Sequence, residues 1–423
     1  MANDLNSNIT RPLAREFLKA FEANRVLTKA VDTQIIKGKH SARTGSTVDV
    51  KRPTDYNTIE TADGDISSSN KSDILTGKAS ATVQNYITVA TEWDNVEEAL
   101  ELDQLDQLLK PMATRAVTQL ELNLGQFMLN NCGGAYGTPG TAIDAWSDVA
   151  GCQAHMESLG IPTDSPWSYV MNPHTSTALA DAQNGLYAAD GLVKTAWEKA
   201  QLPQTFGGMG VMKSNALKTR TASALGGDRV GAVTSSVPDA TYVTHKDTMI
   251  QSIAVDGFTG NVTIKAGEIV EVTGPNRLSL STREQIVDAS GAAVKWRGTV
   301  TADVTLSSGA GTISVAGPAI YEANGQYNTV DAAIAENDVV TILGSDSAVY
   351  QPALAFHKQA FCMATISLPK LYATDTVART EDGCTFRVTK YSDGDSNVQK
   401  VRFDILPAFG CLNPYFSMQA YGS

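Results

Sequence analysis

Residues 111–130, PMATRAVTQLELNLGQFMLN, carry the pattern on which the fold prediction depends. Apolar side chains recur there every three or four positions, at Met112, Ala116, Leu120, Leu124, Phe127 and Met128. That period places them on one face of an amphipathic helix, about 30 Å long at about 1.5 Å per residue. Cys132-Gly133-Gly134 follows, and glycine adopts helix-ending conformations at no steric cost. We therefore predict a long spine helix that ends just before these glycines.

A second helical pattern precedes the spine, from Val96 to Leu109. Pro111 separates the two patterns. Because proline lacks an N–H group and its ring clashes with the preceding turn, we expect a break or kink at Pro111.

The N-terminal part of the chain combines an amphipathic pattern with positive charge. Residues 11–31 place apolar side chains at mostly helical intervals, with basic and acidic side chains between them. Residues 1–52 hold 10 basic and 5 acidic side chains, whereas the remaining residues hold 23 and 40. This charge indicates either a solvated helix face or a docking arm for an acidic partner or a neighbouring subunit.

Residues 38–83 change to a polar, glycine- and serine-containing composition with short alternating runs such as Thr47-Val48-Asp49-Val50. The pattern predicts a long two-stranded ribbon. Because an isolated ribbon is marginally stable in water, we expect a neighbouring subunit to support it.

The rest of the chain is mixed α and β on both sides of a β-rich stretch. Residues 145–222 predict helices at 147–159, 174–182 and 191–199 with a strand at 168–171. Residues 226–347 are rich in Thr, Val, Ser, Ala and Gly in short alternating runs, which predicts a self-contained all-β insert. Strands near 384–391 and 398–406 return the chain to the host fold.

Composition limits the class of protein. The 423 residues exceed the roughly 250–300 at which single cores stop growing, so we expect more than one packed unit. The net charge of -12 argues against a protein that coats nucleic acid. We find no signal peptide or membrane-spanning run, and the five scattered cysteines predict buried thiols rather than a disulfide framework.

The common nucleotide-binding, hydrolase and zinc-protease motifs are absent from the sequence. Cys152 and His155 lie three residues apart on a predicted helix, but a metal site needs further ligands. Residues 393–397, DGDSN, mimic the start of a calcium loop but lack the required glycine and glutamate, so a hairpin turn is the better interpretation. We predict no enzyme activity, and no catalytic, cofactor-binding or metal-binding residues.

Several stretches resemble one known family. They are Asp181-Ala182-Gln183-Asn184-Gly185-Leu186, Thr195-Ala196-Trp197-Glu198, the run LAFHKQAF at 354–361, the run KYSDGDSNVQK at 390–400, and Leu412-Asn413-Pro414. With the order of arm, ribbon, spine helix and β insert, they make the chain similar to major capsid proteins of short-tailed double-stranded DNA bacteriophages whose coat carries an inserted domain. The resemblance covers essentially the whole chain and is weakest in the insert.

The resemblance implies an α+β fold of the Hong Kong 97 phage capsid type with an inserted all-β I-domain. The implied domains are an N-arm at 1–37, an E-loop at 38–85, a P-domain with the spine helix at 86–145, an A-domain at 146–222, a β-barrel I-domain at 223–348, and a return to the A- and P-domains at 349–423.

The implied function is self-assembly into pentamers and hexamers of an icosahedral T=7 capsid that encloses double-stranded DNA without sequence-specific binding. The implied partners are other copies of the chain, a scaffolding protein and a portal protein, with or without a decoration protein. Assembly in the host cytoplasm and expansion on DNA packaging are expected, with no membrane partner and no covalent Lys–Asn crosslink. The alternative is an encapsulin-like nanocompartment shell of the same fold.

Overall fold

A computed structural model of the chain describes residues 25–37, 39, 45–69, 71–94, 105–182, 202–226, 229–372, 375–380, 383–393, 395–396 and 398–423. Its described residues fall into two compact units. The first takes them from Met1–Val50, Ser80–Gly125 and Phe361–Gly410, and the second from Lys51–Ala79, Gln126–Ala360 and Cys411–Ser423. Each unit is built from pieces that are distant in sequence, as the return of mixed α/β sequence after the insert predicts.

Helices are few in the described part of the chain. They are α1 (Leu27–Ala30), α2 (Leu105–Asn130), α3 (Trp146–Ser158), α4 (Pro173–Ala182) and α5 (Tyr242–His245), with short 3-10 turns at Lys358–Ala360 and Pro414–Phe416. The helices predicted at 147–159 and 174–182 are therefore confirmed. The helix predicted at 191–199 and most of the one predicted at 11–31 lie outside the described residues.

The spine helix differs from its prediction at its N-terminal end. The prediction at Pro111 was a break or a kink. Helix α2 continues through Pro111, so a break there was wrong, and a kink stays a prediction. A proline inside a helix removes one backbone hydrogen bond. Burial of apolar side chains in the following turns compensates for the lost stability, because Ala116, Leu120 and Leu124 are fully buried at the predicted spacing.

Strands make up most of the remaining regular structure. They are β1 (Thr47–Lys51), β2 (Lys78–Val83), β3 (Ile87–Asp94), β4 (Ala135–Tyr136), β5 (Ser168–Met171), β6 (Thr205–Phe206), β7 (Met209–Lys213), β8 (Arg220–Thr221), β9 (Val230–Val233), β10 (Ile250–Asp256), β11 (Thr263–Ile264), β12 (Ile269–Asn276), β13 (Lys295–Val300), β14 (Val304–Thr305), β15 (Gly311–Ala316), β16 (Val339–Ile342), β17 (Val349–Tyr350), β18 (Ala353–Phe356), β19 (Phe361–Thr365), β20 (Thr376–Arg379), β21 (Thr385–Asp393), β22 (Val398–Ile405), β23 (Pro407–Cys411) and β24 (Ser417–Ala420).

The first unit contains helix α2 up to Gly125 and two four-stranded sheets, in the orders β1-β2-β23-β19 and β20-β21-β22-β3. A buried carboxylate holds the short helix α1 against α2. Glu121 accepts hydrogen bonds from the backbone N–H groups of Val26, Leu27 and Thr28 at 3.2, 2.7 and 3.0 Å, and from the Thr28 hydroxyl at 2.7 Å. These donors are the N-terminal groups that a helix leaves unpaired, so Glu121 caps α1 from another element.

Strands β21 and β22 form an antiparallel hairpin in which Asp393 faces Val398. The hairpin confirms the interpretation of residues 393–397 as a turn, although Gly394 and Asn397 lie outside the described residues. Next to it, the buried carboxyl of Asp404 accepts from Arg387, from Arg402 at 2.8 Å and from the Thr88 hydroxyl at 2.8 Å. Burial alone would raise the pKa of Asp404, but these hydrogen bonds outweigh it and lower the pKa.

The second unit contains a six-stranded mixed sheet in the order β4-β24-β18-β5-β7-β6. Helix α3 covers an apolar face of this sheet through Val149, Cys152 and Met156, which share one core with Tyr169 and Ala355. Strand β5 coincides with the predicted strand at 168–171. All four of its residues are buried, as expected for a strand in the middle of a sheet.

The same unit contains a closed six-stranded barrel in the order β10-β15-β13-β12-β16-β9. Every neighbouring pair is antiparallel. Its interior is filled by side chains around the fully buried Trp296, whose indole N–H donates to the Gly317 carbonyl at 3.0 Å. Closure leaves no unpaired strand edge. Because buried side chains fill the interior, the barrel is a packed core rather than a channel. The predicted β-rich character of residues 226–347 is observed, with α5 as a short helical exception.

The chain enters and leaves the barrel at one place. Strand β8 precedes the barrel, β17 follows it, and the two pair with each other so that Thr221 faces Val349 and Arg220 faces Tyr350. The hydrogen bond from Ala222 N–H to the Ala348 carbonyl at 2.8 Å extends this two-stranded stem.

A buried ion pair lies beside the stem. Arg229 donates to Glu268 at 2.7 Å, to the Ser223 carbonyl at 2.6 Å and to Asp346 at 2.9 Å. Glu268 also accepts from the Ser223 N–H at 2.9 Å and the Lys265 N–H at 3.0 Å. Because both charges are saturated with hydrogen bonds, their burial is tolerated, and removing one partner leaves the other uncompensated.

Two predictions from the first half of the sequence were wrong in detail. Strands β1 and β2 are neighbours, but residues 52–77 contain no strand among the described positions, so the two-stranded ribbon is limited to its base. Gly133 follows the spine helix as expected, but it does not adopt a positive φ. Glycine is required because a Cβ there would lie 2.6 Å from the Pro414 carbonyl oxygen.

We predict that Glu268→Ala strongly destabilises the barrel, because it leaves the Arg229 guanidinium buried without its carboxylate. The expected loss is about 3 kcal/mol in the free energy of opening of β9 and β16, measured by hydrogen exchange on the full chain. Asp346→Asn is the matched control, since it changes the half-exposed partner of the same arginine and should cost under about 1 kcal/mol. Equal exchange in the two variants would contradict the role given to the buried pair.

Candidate functional site

The Lys51–Ala79 segment, called the 51–79 segment below, is the largest irregular surface feature of the second unit. Pro53, Gly64 and a high content of Asp, Ser and Thr explain why the described positions of 52–77 form no strand, since these residues favour turns or cannot donate to a ladder. Its residues are mostly exposed, with Arg52, Gly77 and Ala79 as the buried ones among those described. A segment without backbone pairing needs other contacts to offset the conformational entropy that is lost when it becomes ordered.

Arg52 fixes the base of the segment. Its guanidinium donates to the Lys78 carbonyl at 3.1 Å and to the Leu412 carbonyl, while its N–H donates to the Gly77 carbonyl at 2.9 Å. Burial lowers the pKa of Arg52. The charge-assisted hydrogen bonds offset the burial of this cation and hold the two limbs of the segment together where they leave β1 and β2.

The other side of the base lies against α5 of the barrel insert. The Lys78 N–H donates to the Asp247 carboxylate at 3.2 Å. A Cβ at Gly77 would lie 2.4 Å from the Lys246 carbonyl oxygen. Position 77 therefore requires glycine for close backbone approach, a reason that the sequence pattern did not reveal.

Tyr327, from the loop between β15 and β16, joins the two limbs of the segment. Its hydroxyl accepts from the Asp55 N–H at 3.3 Å and donates to the Leu75 carbonyl at 3.1 Å. The ring stacks on Tyr242 with centroids 3.7 Å apart, which fixes its orientation. The Tyr327 hydroxyl thus bridges two limbs that no backbone hydrogen bonds of a strand pair connect here.

Further bonds join the segment to barrel loops. Asp55 forms an ion pair with Arg283. The side chains of Asn57 and Gln326 each donate across the contact, to the Asn324 carbonyl at 2.9 Å and to the Asp73 carbonyl at 2.6 Å. The segment is therefore supported by its own subunit. The further support expected from a neighbouring subunit stays a prediction.

The segment carries large apolar side chains that its own subunit leaves partly or mostly exposed. Tyr56, Ile59 and Ile66 are 55%, 36% and 42% exposed, and Ile74 is 74% exposed. Residues 53–77 also hold five acidic side chains and one basic one. Exposed apolar groups within an acidic segment are typical of a contact surface, and the fitting partner is apolar and carries positive charge.

The described part of the chain contains one cluster that has the composition of a catalytic triad. Nε2 of His357 lies 2.7 Å from the Ser165 hydroxyl and 2.9 Å from the Asp164 carboxylate, and Nδ1 accepts from the Gln359 N–H at 3.2 Å. Both oxygen groups meet the same nitrogen, so His357 donates to them and cannot take the serine proton while an acid orients its other nitrogen. The cluster is structural. It was invisible in the sequence because His357 lies 192 residues from Ser165.

The Cys152 and His155 pair does not form a site. Cys152 lies in the core of the six-stranded sheet, where burial raises the pKa of its thiol, while His155 lines a cavity. Across the described residues, no group of three or more His, Cys, Asp or Glu side chains is arranged to hold a metal ion. None of the described helices is both long and apolar enough to cross a membrane.

Comparison with known proteins gives consistent matches. A family model described as "P22 coat protein - gene protein 5" matches residues 1–422. A major capsid protein of Acyrthosiphon pisum secondary endosymbiont phage 1 is 40% identical over 429 residues, covering 100% of both chains. Among solved structures, one from Mycobacterium phage Che8 has a TM-score of 0.46 at 11% identity, covering 93% of this chain and 90% of that chain. The capsid of cyanophage P-SCSP1u has a TM-score of 0.43 at 10% identity, covering 94% and 88%.

We predict that Tyr327→Phe loosens the 51–79 segment without unfolding the barrel, because it removes the bridging hydroxyl and keeps the stacked ring. Loss of about 1 kcal/mol of hydrogen bonding should speed amide exchange in peptides from 53–77 about fivefold. Tyr321→Phe is the control, since Tyr321 lies in the same loop and makes no bond to the segment. The bridging role fails if both variants exchange like the unmodified chain.

Proposed function

The chain belongs to the P22 coat protein family, and from that premise we propose that the 51–79 segment and the barrel are the parts through which copies of this subunit join into a shell. The chain is a major capsid protein of a phage, located in the virion and structural rather than catalytic. The observation that carries the proposal is the exposed apolar surface of a segment whose shape its own subunit already fixes.

We assign the Hong Kong 97 type domains as the sequence resemblance implies. The β8–β17 stem supports the I-domain at 223–348, because it closes the chain on itself immediately outside these bounds. The irregular segment between β1 and β2 supports the E-loop at 38–85. The other assignments are the N-arm at 1–37, the P-domain at 86–145, the A-domain at 146–222 and the return at 349–423, and these follow family membership.

The E-loop is proposed to lie on a neighbouring subunit through Tyr56, Ile59, Ile66 and Ile74. Fully burying one such side chain contributes about 1.5–3 kcal/mol. Each contact is weak alone, but a subunit held by several neighbours at once gains from high effective concentration. Because the barrel loops pre-order the segment, less conformational entropy is lost when it binds.

The partners beyond the chain itself are proposed from family membership. They are a scaffolding protein that directs assembly, a portal protein, and a decoration protein on some particles. Expansion on DNA packaging and the T=7 geometry belong to the same proposal. The net charge of -12 fits a container wall that encloses double-stranded DNA without binding it by sequence.

An encapsulin-like nanocompartment was the alternative function. The match of the phage coat model over residues 1–422 and the phage capsid relative covering the whole chain favour the phage shell. The neighbouring genes separate the two, because a phage coat gene should lie beside portal, terminase and scaffold genes.

We predict that Ile74→Asp blocks assembly while leaving the subunit folded, because it places a charge where a neighbour's apolar surface is expected. The chain is co-expressed with its scaffold candidate, the lysate is sedimented, and the fast fraction is imaged for icosahedral shells. Shell yield should fall at least about tenfold, because a loss of about 1 kcal/mol in each contact is compounded over the many contacts of a shell. Leu371→Asp is the matched control, since Leu371 is also a largely exposed apolar residue, at 57%, and lies outside both the segment and the barrel. Normal shells from Ile74→Asp would overturn the assignment of this surface.

A further inference from the structure

A cavity of about 480 Å³ lies within the second unit, where helix α3 and strand β4 meet barrel strands β12 and β13. Its volume is in the range of small-molecule sites, roughly 300–1,000 Å³. Aromatic side chains of Tyr136 and Tyr415 form part of its wall, and Arg277, Lys295 and Arg297 bring three positive charges. Neither the 51–79 segment nor the His357 cluster contributes a residue to its wall.

Arg277 is the unusual group in this wall. It follows β12, is 4% exposed, and its guanidinium carbon lies 4.9 Å from the centre of the Tyr415 ring. Its Nη1 has no hydrogen-bond partner, and no carboxylate among the described residues pairs with it. A buried guanidinium without an anion is costly, and proteins normally pair it or bind an anion there.

The two acidic side chains of the wall are already engaged elsewhere. Glu271 pairs with Arg297 at 2.8 Å and with Lys295 at 3.5 Å. Asp288 accepts from the N–H and hydroxyl of Ser290 at 2.8 and 2.6 Å and from the Ala292 N–H at 3.0 Å, all within its own turn. Neither acidic side chain of the wall therefore pairs with Arg277.

His155, on the α3 side of the cavity, experiences that positive charge. Burial, with smaller contributions from Arg277 and Arg297, lowers the pKa of His155 to about 4. The imidazole is thus neutral near pH 7, and a bound anion nearby would favour its protonated form and raise its pKa.

We propose that this cavity binds a small oxyanion, the phosphate or carboxylate group of a free small molecule, with Arg277 as its principal ligand and Lys295 at its mouth. A guanidinium presents parallel N–H donors that match two oxygens of such a group. The cavity has room for an organic body beyond the charged group. Because Arg277 and Lys295 belong to the barrel insert while His155 and Tyr415 belong to the six-stranded sheet and its surroundings, the bound anion would stabilise the association of the insert with that sheet.

The test uses the purified full-length subunit and four sodium salts at equal ionic strength: inorganic phosphate, glucose 6-phosphate, acetate and chloride. Binding is followed by isothermal calorimetry and by the rise in melting temperature. The proposal expects saturable binding of at least one oxyanion and none of chloride. Stronger binding of glucose 6-phosphate than of inorganic phosphate would identify an organic phosphate as the ligand class, and preference for acetate would identify a carboxylate.

Arg277→Gln should weaken that binding at least about tenfold, whereas Arg283→Gln, in the same loop but paired with Asp55 outside the cavity, should leave it unchanged. If Arg277→Gln does not fold, Lys295→Gln replaces it, because Lys295 is half exposed and should tolerate substitution. On the unmodified chain, the NMR titration of His155 should shift to higher pH when the oxyanion is present. Equal, non-saturable effects of all four salts, or undiminished binding to both cavity variants, would overturn the proposal.

Discussion

The constraint on which the second unit depends is that the chain must enter and leave the closed barrel at the same point. The β8–β17 stem meets this requirement, since Thr221 and Val349 face each other across a two-stranded ladder. The buried Arg229–Glu268 pair then binds the first residues of the insert to its own strands. Because the chain enters and leaves the barrel at this stem, strands β5 and β18 can pair with each other, although all the barrel strands lie between them in sequence.

The insert in turn shapes a surface that belongs to a different part of the chain. The 51–79 segment lacks a strand ladder, and the Tyr327 hydroxyl, the Asp55–Arg283 pair and the Arg52 base supply its fixed contacts. A monomer gains nothing from holding Ile74 in water. In a coat protein, pre-ordering this side chain reduces the entropy lost on assembly. We therefore propose that the barrel contributes to shell assembly by holding the 51–79 segment in place.

The sequence predicted those features that depend on local pattern. The spine helix, the strand at 168–171, the hairpin around 393–397 and the β-rich stretch at 226–347 follow from periodicity and turn residues. Elsewhere, long-range packing outweighed local propensity. Burial of Leu120 and Leu124 stabilises the helix through Pro111, and the close approach of the Pro414 backbone explains why position 133 is glycine. The clusters around His357 and Arg277 could not be predicted, because their members are brought together only by folding.

The most direct test of this account is a high-resolution electron cryomicroscopy structure of assembled shells. The account predicts that in every subunit the Tyr327 hydroxyl remains within hydrogen-bond distance of the Leu75 carbonyl of the same chain, while Ile74 is buried against a neighbouring subunit. A shell in which the 51–79 segment has left its own barrel loops, or in which Ile74 remains exposed to solvent, would contradict it.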